Sequence, residues 1–452
     1  MRPKESVLVS AAGCAPRGCV ANDFRNVVIV SPYFPPSTVA GVHRARHLAK
    51  HLPAAGWTPT VLCVDETHHE ESLDPALGAL VPSSVEVIKV GALPARVTRK
   101  VGLGELSLRA YRPLKRALFR ALTTRKVDIV IITGSPYYPM LFAREIRKRF
   151  RVPVVLDFQD PWVSAWGATQ PVLSKAGFAH RIAKVLEPRA VREADYVTAV
   201  SDTQNAEMAA RYPWLNPKKM SGIPIGGDPD DFQVLRSLRT PSDWDDLEPG
   251  FIHLAYVGTF LPRADPLVRT LFRAYARLRA SDPGLAAKLR FDFVGTSNQP
   301  KEGTVSAVRP IAEEEGVAEA VREIPQRLPY LRALNVLAKS HAALLIGSDE
   351  PHYTASKIYP ALMSGRPHLS LFHRASSAHA ILARAGGGYS FAFESNAELS
   401  ALVAPVAEAL KSVATNPQSL GTTDATAYEP YLAANVARCF ARVFESAALS
   451  NA

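Results

Sequence analysis

Short apolar runs alternate with amphipathic stretches over the first half of the chain. Residues 27–30 form a β-branched run, which is followed by a loop rich in proline and serine. In residues 42–52 the apolar positions recur at the three- and four-residue spacing of a helix, which ends before Gly56. The pattern predicts a strand, a loop and a helix in that order.

The same alternation continues after this first unit. Further strands are predicted at 59–64, 128–133, 152–158 and 196–200. Strands that alternate with helices form a parallel sheet with helices on both faces, which is the doubly wound α/β class. In such a sheet, ligands bind at the carboxyl ends of the strands.

A polar, acidic stretch bounded by proline and glycine interrupts the pattern at 240–250 and predicts a linker. Beyond it, strands are predicted at 252–257, 289–295 and 342–346, and an amphipathic helix at 266–278. The predicted organisation is a disordered leader at 1–24, α/β domains at 25–239 and 251–426, and a helical segment at 427–452 that packs back on the N-terminal domain. Two such domains in tandem enclose a cleft between their strand ends.

Composition narrows the class of protein. The 452 residues are 47% hydrophobic and 21% charged, which is typical of a globular protein and excludes a fibre or a low-complexity chain. No apolar run approaches the ~20 residues that a membrane-spanning helix needs. The leader resembles a signal peptide poorly, because Glu5 interrupts it. The four cysteines are too scattered for a disulfide framework or a zinc site, which indicates a reducing, cytoplasmic compartment.

The net charge of +11 is concentrated in the first half of the chain. Residues 1–225 carry 31 Lys and Arg against 18 Asp and Glu, whereas 226–452 carry 22 against 24. Residues 93–126 contain ten of the cations and one acid, Glu105. An apolar stripe runs beside them, made of Leu114, Leu118, Ala121 and Leu122. This helix is expected either to lie on an anionic membrane or to pack on its own sheet with a solvated basic face. The basic segment contains no recognisable recognition helix, so nucleic acid is not an expected partner.

Four segments occur in the order and spacing of a known family. They are IVSPYFPPSTVAGVHRARHLAKHLPAAGW, VPVVLDFQDPW, the pair EADYVTAVSD and IPIGGDPDDF, and ASKIYPALMSGRPHLSLF. With these segments, the chain resembles the glycosyltransferases of family 4 from about residue 26 to residue 372. The resemblance implies the GT-B architecture, in which two Rossmann-like domains face each other across a cleft. It also implies that the N-terminal domain holds the acceptor and the C-terminal domain holds a nucleotide-sugar donor.

The resemblance implies a site for a nucleotide-diphospho-sugar. Such a diphosphate carries about two negative charges and binds to glycine turns, helix-start N–H groups and fixed cations. The candidate donor-binding residues are Gly41, Gly258, Thr259, Arg263, Ser356 and Lys357. The alternatives are that Arg263 and Lys357 are solvated surface cations and that Gly41 is a plain turn glycine.

The first-domain motif supplies the candidate catalytic residue. Asp160 matches the family's acidic position and is expected to orient the acceptor hydroxyl or to act as a base. The alternative is that Asp160 only caps a helix, and Asp157 is expected to be structural. Ser135, Tyr137 and His43 are expected on the acceptor side, although His43 also fits a surface position on a helix.

The chain departs from the family at three positions. Many members carry two glutamates eight residues apart before the donor helix, and His352 and Pro360 occupy those positions here. Gln159 stands where many members have histidine. These differences indicate either altered donor contacts or a loss of catalysis.

The function that the resemblance implies is a retaining, metal-independent transfer of a hexosyl unit to a hydroxyl acceptor, in surface polysaccharide or glycolipid synthesis. No metal or cofactor is expected besides the donor co-substrate. The expected partners are the donor, a glycan or lipid-linked acceptor, and an anionic surface on the inner face of the membrane, contacted through 93–126. The alternatives are a nucleotide-sugar epimerase of the same fold and an idle nucleotide-sugar-binding protein.

Overall fold

The computed structural model describes residues 25–238, 247–261, 263–297, 305–349 and 356–449. The predicted leader, most of the predicted linker and His352 lie outside the described residues. The described residues form two parallel sheets with helices, one sheet in each half of the chain. This arrangement confirms the predicted doubly wound α/β class.

The N-terminal domain is built on a seven-stranded parallel sheet. Its strands are β1 (Arg25–Val30), β2 (Trp57–Val64), β3 (Glu86–Val90), β4 (Ile129–Gly134), β5 (Val154–Phe158), β6 (Tyr196–Ala199) and β7 (Met220–Gly222), in the order β3-β2-β1-β4-β5-β6-β7. Its helices are α1 (Val42–His51), α2 (Ala95–Thr98), α3 (Leu106–Arg109), α4 (Tyr111–Thr124), α5 (Ala143–Phe150), α6 (Ala165–Ala168), α7 (Lys175–Val191), α8 (Asp202–Arg211) and α9 (Asp230–Ser237). The strand order reverses between β1 and β4, so the loops after these two strands border the ligand crevice.

The C-terminal domain repeats this plan with six parallel strands. They are β8 (Ile252–Val257), β9 (Leu289–Val294), β10 (Val321–Ile324), β11 (Ala342–Ile346), β12 (His368–His373) and β13 (Gly388–Phe393), in the order β10-β9-β8-β11-β12-β13. The helices are α10 (Asp265–Ser281), α11 (Pro283–Ala286), α12 (Arg309–Glu314), α13 (Tyr330–Lys339), α14 (Ile358–Met363), α15 (Ser377–Ala385), α16 (Leu399–Thr415) and α17 (Ala433–Leu449). No described helix is both long enough and apolar enough to cross a bilayer.

The strands that apolar periodicity does not single out lie mainly at the sheet edges. β3 and β7 close the first sheet, and β10 and β13 close the second. Most residues of these edge strands are only half-buried or exposed. Because an edge strand is covered less completely than a central one, it lacks the continuous apolar run that reveals a buried parallel strand.

The basic segment 93–126 folds against its own sheet. Leu114 and Leu118 of α4 are fully buried in the N-terminal core, and Ala121 is buried beside them. The apolar stripe therefore has no face left for a bilayer. The interpretation of this stripe as a membrane-binding surface is wrong, because a helix that covers a sheet has the same apolar spacing as one that lies on a membrane.

The final helix, α17, packs on the N-terminal domain. Phe440 and Phe444 are fully buried in a cluster with residues of α1 and β2. The Phe444 ring meets Trp57 edge to face, with 5.1 Å between the ring centroids. The main-chain N–H of Ala433 donates to the Gly227 carbonyl, 2.7 Å away, where α17 begins. The chain thus crosses twice between the domains, and its last helix completes the first core.

Truncation of Phe444 tests this arrangement. Phe444→Ala is expected to lower the free energy of unfolding by about 3–5 kcal/mol, because it opens a cavity beside Trp57. Leu449→Ala, on an exposed side chain of the same helix, is the matched control and should change stability by less than about 0.5 kcal/mol. Urea unfolding monitored by tryptophan fluorescence measures both, and equal losses in the two variants would contradict the packing described.

Candidate active site in the interdomain cleft

A cavity of about 370 Å³ lies where the two domains meet. The N-terminal domain contributes the loop after β1 and the start of α1, including Thr38 and His43. The C-terminal domain contributes Gly258 and Gly295 after β8 and β9, and Lys357 at the start of α14. The strand-end loops of both domains thus line one cavity, which is where facing α/β domains bind ligands.

Lys357 is a half-buried cation in this cleft. Its Nζ lies 4.0 Å from the ring centroid of Tyr256 and donates to the Tyr256 hydroxyl. Desolvation lowers the pKa of Lys357 to about 7. Across the part of the chain that the structure describes, no carboxylate forms an ion pair with this side chain. An anion bound next to Nζ would stabilise its charged form, so the position favours a phosphate.

Arg327 is a second cation of the same cleft. Its guanidinium donates to the main-chain carbonyl of Thr38 across the domain boundary, and desolvation lowers its pKa. Among the described residues it, too, has no carboxylate partner. Sequence reasoning missed Arg327, because it follows the edge strand β10, which carries no recognisable pattern. Only the parallel topology shows that β8 and β10 end at the same edge of the sheet.

Helix α1 presents His43 and His47 one turn apart with Arg46 between them. Arg46 Nη2 donates to His43 Nδ1 at 3.2 Å and to His47 Nε2 at 2.9 Å. A guanidinium can only donate, so each neutral imidazole carries its proton on the other ring nitrogen. Burial, together with the charge of Arg46, holds the pKa of both histidines well below its usual value. His43 therefore lines the cleft as a neutral imidazole. The alternative that the sequence left open, an exposed position on the surface of a helix, does not apply.

A buried ion pair joins this helix to α9, and the C-terminal domain contacts the pair through Tyr330. Arg46 Nη1 and Nη2 each lie 2.7 Å from a carboxylate oxygen of Asp231, and neither side chain is exposed. Tyr330 at the start of α13 donates its hydroxyl to Asp231 Oδ2 at 2.9 Å, and its ring lies 4.5 Å from that of His43. The Tyr330 main-chain N–H donates to Asp74 Oδ2 at 3.0 Å. These contacts fix α13 against the N-terminal domain and so set the width of the cleft.

The predicted donor-binding residues divide into two groups. Those that line the cavity are Gly258, Thr259, Ser356 and Lys357. Gly41 does not line it: it precedes α1 with φ −59°, a conformation open to any residue. Arg263 is also outside the lining, where its mostly exposed side chain pairs with Asp349 at 2.5 Å. Gly41 and Arg263 thus lie outside this cavity, one as an ordinary turn residue and the other paired with a carboxylate, and their roles as donor contacts stay predictions.

The predicted acceptor-side residues other than His43 lie at the ends of β4 and β5, outside the cavity lining. The Tyr137 hydroxyl donates to the main-chain oxygen of Asp160 at 2.9 Å, and Ser135 is exposed nearby. The Asp160 side chain is exposed, although desolvation by its surroundings raises its pKa. Gln159 Nε2 donates to the Gly41 carbonyl at 3.3 Å, which ties this group to the loop that borders the cavity.

Two positions of the family motifs have clear structural environments. Pro360 lines the cavity, so the position that is glutamate in many family members faces the cavity here without a carboxylate. Asp157 is fully buried, accepts from the Thr198 hydroxyl at 2.8 Å and pairs with Arg44 at 3.2 Å. Burial raises the pKa of Asp157, and Arg44 and Thr198 oppose that rise. Asp157 thus has the structural role that the sequence indicated.

One group of described side chains has the spacing of a metal site. Ligand atoms of His51, Asp228 and Asp230 lie within 4.8 Å of one another. Lys50 Nζ, however, lies 2.8 Å from Asp228 and 3.0 Å from Asp230. This ammonium group occupies the space between the two carboxylates, and the group does not line the cleft. We therefore assign these residues to the packing of α1 rather than to the candidate active site.

Residues 40–226 match the family model of the glycosyl transferase 4-like domain. The match concerns the N-terminal half of the chain. The predicted resemblance to family 4 glycosyltransferases is thereby confirmed. The matched range begins in the loop that borders the cavity and ends with Gly226, which lines it, so it includes most of the N-terminal wall of the cleft. A search of curated protein sequences finds no match.

Solved structures share the two-domain fold over nearly the whole chain. Anabaena Alr3699/HepE, in complex with UDP and glucose, has a TM-score of 0.56 at 14% identity, covering 93% of this chain and 100% of that chain. A glycosyltransferase from Rickettsia africae ESF-5 has a TM-score of 0.55 at 14% identity, covering 94% and 99%. WaaG, a glycosyltransferase involved in lipopolysaccharide biosynthesis, has a TM-score of 0.51 at 15% identity, covering 93% and 98%. At these identities the likeness concerns the fold, and it confirms the GT-B architecture around the glycosyl transferase 4-like domain.

The neutral histidines of α1 give the protein a pH-dependent stability. Unfolding returns His43 and His47 to an ordinary pKa near 6.5, so the unfolded chain binds protons that the folded chain does not. The free energy of unfolding is therefore expected to fall on acidification below about pH 6.5, by about 1.4 kcal/mol per pH unit for each histidine. Urea unfolding between about pH 7 and pH 5 should show this slope, and His43→Gln should reduce it by one histidine's share. A slope identical in the variant would exclude His43 as a buried neutral group.

Proposed function

We propose that the protein is a glycosyltransferase that moves a hexosyl unit from a nucleotide-diphospho-sugar to a hydroxyl acceptor. The observation that carries this proposal is the pair of desolvated cations, Lys357 and Arg327, which face one cleft without a carboxylate partner among the described residues. A diphosphate supplies the negative charge that this pair lacks. The glycosyl transferase 4-like domain, and the UDP and glucose held by the Anabaena structure, support this class of donor.

In the proposed reaction, the C-terminal wall of the cleft holds the donor diphosphate. Lys357 and Arg327 neutralise it, and His43 offers a neutral hydrogen bond from the other wall. Gly258 and Gly295 have φ values of +126° and +72°, and their lack of side chains leaves the main chain accessible to the phosphates. As the glycosidic bond breaks, charge grows on the leaving diphosphate, and fixed cations stabilise that charge more than they stabilise the ground state. We propose that these cations serve in place of a metal ion.

The acceptor is proposed to approach from the ends of β4 and β5. There the exposed carboxylate of Asp160 orients the acceptor hydroxyl or receives its proton, and Tyr137 holds the Asp160 main chain in place. We propose a retaining transfer, with the protein positioning the two reactants and stabilising charge. The proposed setting is the synthesis of a surface polysaccharide or glycolipid at the inner face of the membrane, with a glycan or lipid-linked acceptor.

The direct test is a screen of purified protein against nucleotide-diphospho-sugars, read first by thermal shift and then by release of nucleoside diphosphate. A donor present at 100 times its dissociation constant should stabilise the protein by about 2.7 kcal/mol. Release of nucleoside diphosphate with transfer to an added glycan supports the proposal. Conversion of the sugar without release would indicate the epimerase alternative, and binding without any consumption would indicate an idle binding protein.

The lowered pKa of Lys357 makes donor affinity depend on pH. Lys357 must be charged to hold the diphosphate, so the affinity for UDP-glucose should be constant below about pH 7 and fall up to tenfold for each pH unit above it. Lys357→Met should weaken binding by the ~1.5–3 kcal/mol of a charged hydrogen bond and remove this pH dependence. Calorimetric titration measures both effects, with the exposed Lys411→Met as the matched control. A pH profile that persists in Lys357→Met would assign the titration to another group.

Asp160 allows the binding step to be separated from the transfer step. Because its carboxylate lies outside the cavity lining, Asp160→Asn should leave donor affinity unchanged while it slows transfer. A loss of kcat by two orders of magnitude or more is expected if Asp160 receives the proton, since such groups contribute about 10²–10⁴-fold. Steady-state kinetics at saturating donor measure this, and normal turnover in the variant would make Asp160 a structural residue.

A further inference from the structure

Large apolar side chains are exposed in one segment that follows β5. Trp166 is 67% exposed, Leu173 is 98% exposed and Phe178 is 60% exposed, and Val172 and Val185 accompany them. These five residues fall between positions 166 and 185, and a smaller group of exposed apolar side chains, Leu93, Val97 and Leu103, follows β3. Monomeric proteins rarely gather such residues in one place unless the surface binds something.

The segment is held in a fixed shape. The Ser164 and Ser174 hydroxyls cap α6 and α7, each accepting from a glycine N–H at 3.0 Å. A Cβ on Gly177 would lie 2.2 Å from the Pro171 carbonyl oxygen, and one on Gly167 would lie 2.6 Å from His180 Nδ1. The loop between the two helices is thus packed closely onto α7. Its apolar side chains are therefore presented outward by ordered backbone.

The exposed charged side chains of the same segment are all cations. Between positions 161 and 192 the exposed cations are Lys175, Arg181, Lys184, Arg189 and Arg192. The acid in this range, Glu187, is fully buried, where it pairs with Arg211 at 3.0 Å and accepts from the Val163 N–H at 2.9 Å. The surface around the apolar side chains is therefore cationic, without an exposed acid between positions 161 and 192.

We infer that residues 166–185 dock the protein onto an anionic lipid bilayer. Apolar side chains that enter the acyl boundary, surrounded by cations at the level of the headgroups, are the two elements of an interfacial membrane site. Charge complementarity selects the occupant, because a second copy of this chain would bring the same cations against each other. The exposed Leu93 and Val97, which follow β3 together with exposed Arg96, lie at the same carboxyl end of the sheet.

The docking surface borders the predicted acceptor side. Asp160 begins the chain segment that leads to Trp166, and the Trp162 ring stacks on Tyr137 with 5.2 Å between centroids. A bilayer on residues 166–185 would thus place lipid-linked hydroxyl groups near Asp160. That consequence rests on the proposed function, whereas the docking itself requires no donor, no acceptor and no turnover.

Sedimentation of the full chain with vesicles tests the inference without any assay of transfer. The protein should bind vesicles of phosphatidylcholine mixed with phosphatidylglycerol, and bind phosphatidylcholine alone at least about tenfold more weakly, since each cation contributes about fivefold near an anionic surface. Leu173→Ser with Phe178→Ser should weaken binding at least about tenfold through the lost apolar burial. Leu449→Ser, at an exposed leucine near the end of α17, is the matched control and should bind as the parent does. These side chains are exposed, so the variants are expected to fold.

Trp166 supplies a direct readout of insertion. Brominated lipids should quench its fluorescence on binding, and Trp166→Phe should remove that quenching while the other tryptophans remain. The inference would be overturned if the variant with Leu173→Ser and Phe178→Ser bound vesicles as tightly as the parent protein. It would also be overturned if the Leu449→Ser control lost as much vesicle binding as that variant. Concentration-dependent self-association that these substitutions abolish, without vesicle binding, would assign the surface to a second copy of the chain instead. A protein that binds vesicles but consumes no donor would retain the docking surface and lose the proposed function.

Discussion

Two desolvated cations, neither of which has a carboxylate partner among the described residues, determine what the cleft can bind. Lys357 and Arg327 lie on the C-terminal wall, and desolvation lowers the pKa of both. A buried charge is costly unless an opposite charge or a set of hydrogen bonds compensates it. A bound diphosphate compensates both cations at once, so the site gains stability from the ligand that it is proposed to use.

The buried pair of Arg46 and Asp231 keeps the two walls in place. Both side chains are fully buried, and Tyr330 of the other domain completes the coordination of the carboxylate. Removing one partner of such a pair leaves an uncompensated charge, which typically costs about 3–5 kcal/mol. Burial, helped by the charge of the same arginine, keeps His43 and His47 neutral. Arg46 therefore contributes both to the electrostatics of the cleft and to the contact between the domains. The C-terminal helix α17 returns to the first domain and adds a second connection.

The sequence predicted the two domains and most of the central strands, because buried parallel strands are apolar runs. It also predicted five residues that line the cavity, which are His43, Gly258, Thr259, Ser356 and Lys357. It could not predict Arg327 or the network of Arg46, which depend on contacts between positions far apart in the chain. The spacing of apolar residues in α4 could not show whether a sheet or a bilayer covers the helix, because both require the same apolar stripe. The exposed residues 166–185 escaped notice because apolar residues occur on both faces of α7.

The most direct test of this account is the pKa of Lys357 itself, measured by NMR in protein carrying ¹³C-lysine, with Lys357→Arg to identify its resonance. The account predicts a titration near pH 7 in the free protein, because desolvation is not compensated. It also predicts that UDP-glucose raises this pKa, since the diphosphate stabilises the charged form. If Lys357 titrated at the ordinary pKa of lysine and its pKa did not change on addition of the nucleotide sugar, the central claim that the cleft binds a diphosphate would be contradicted.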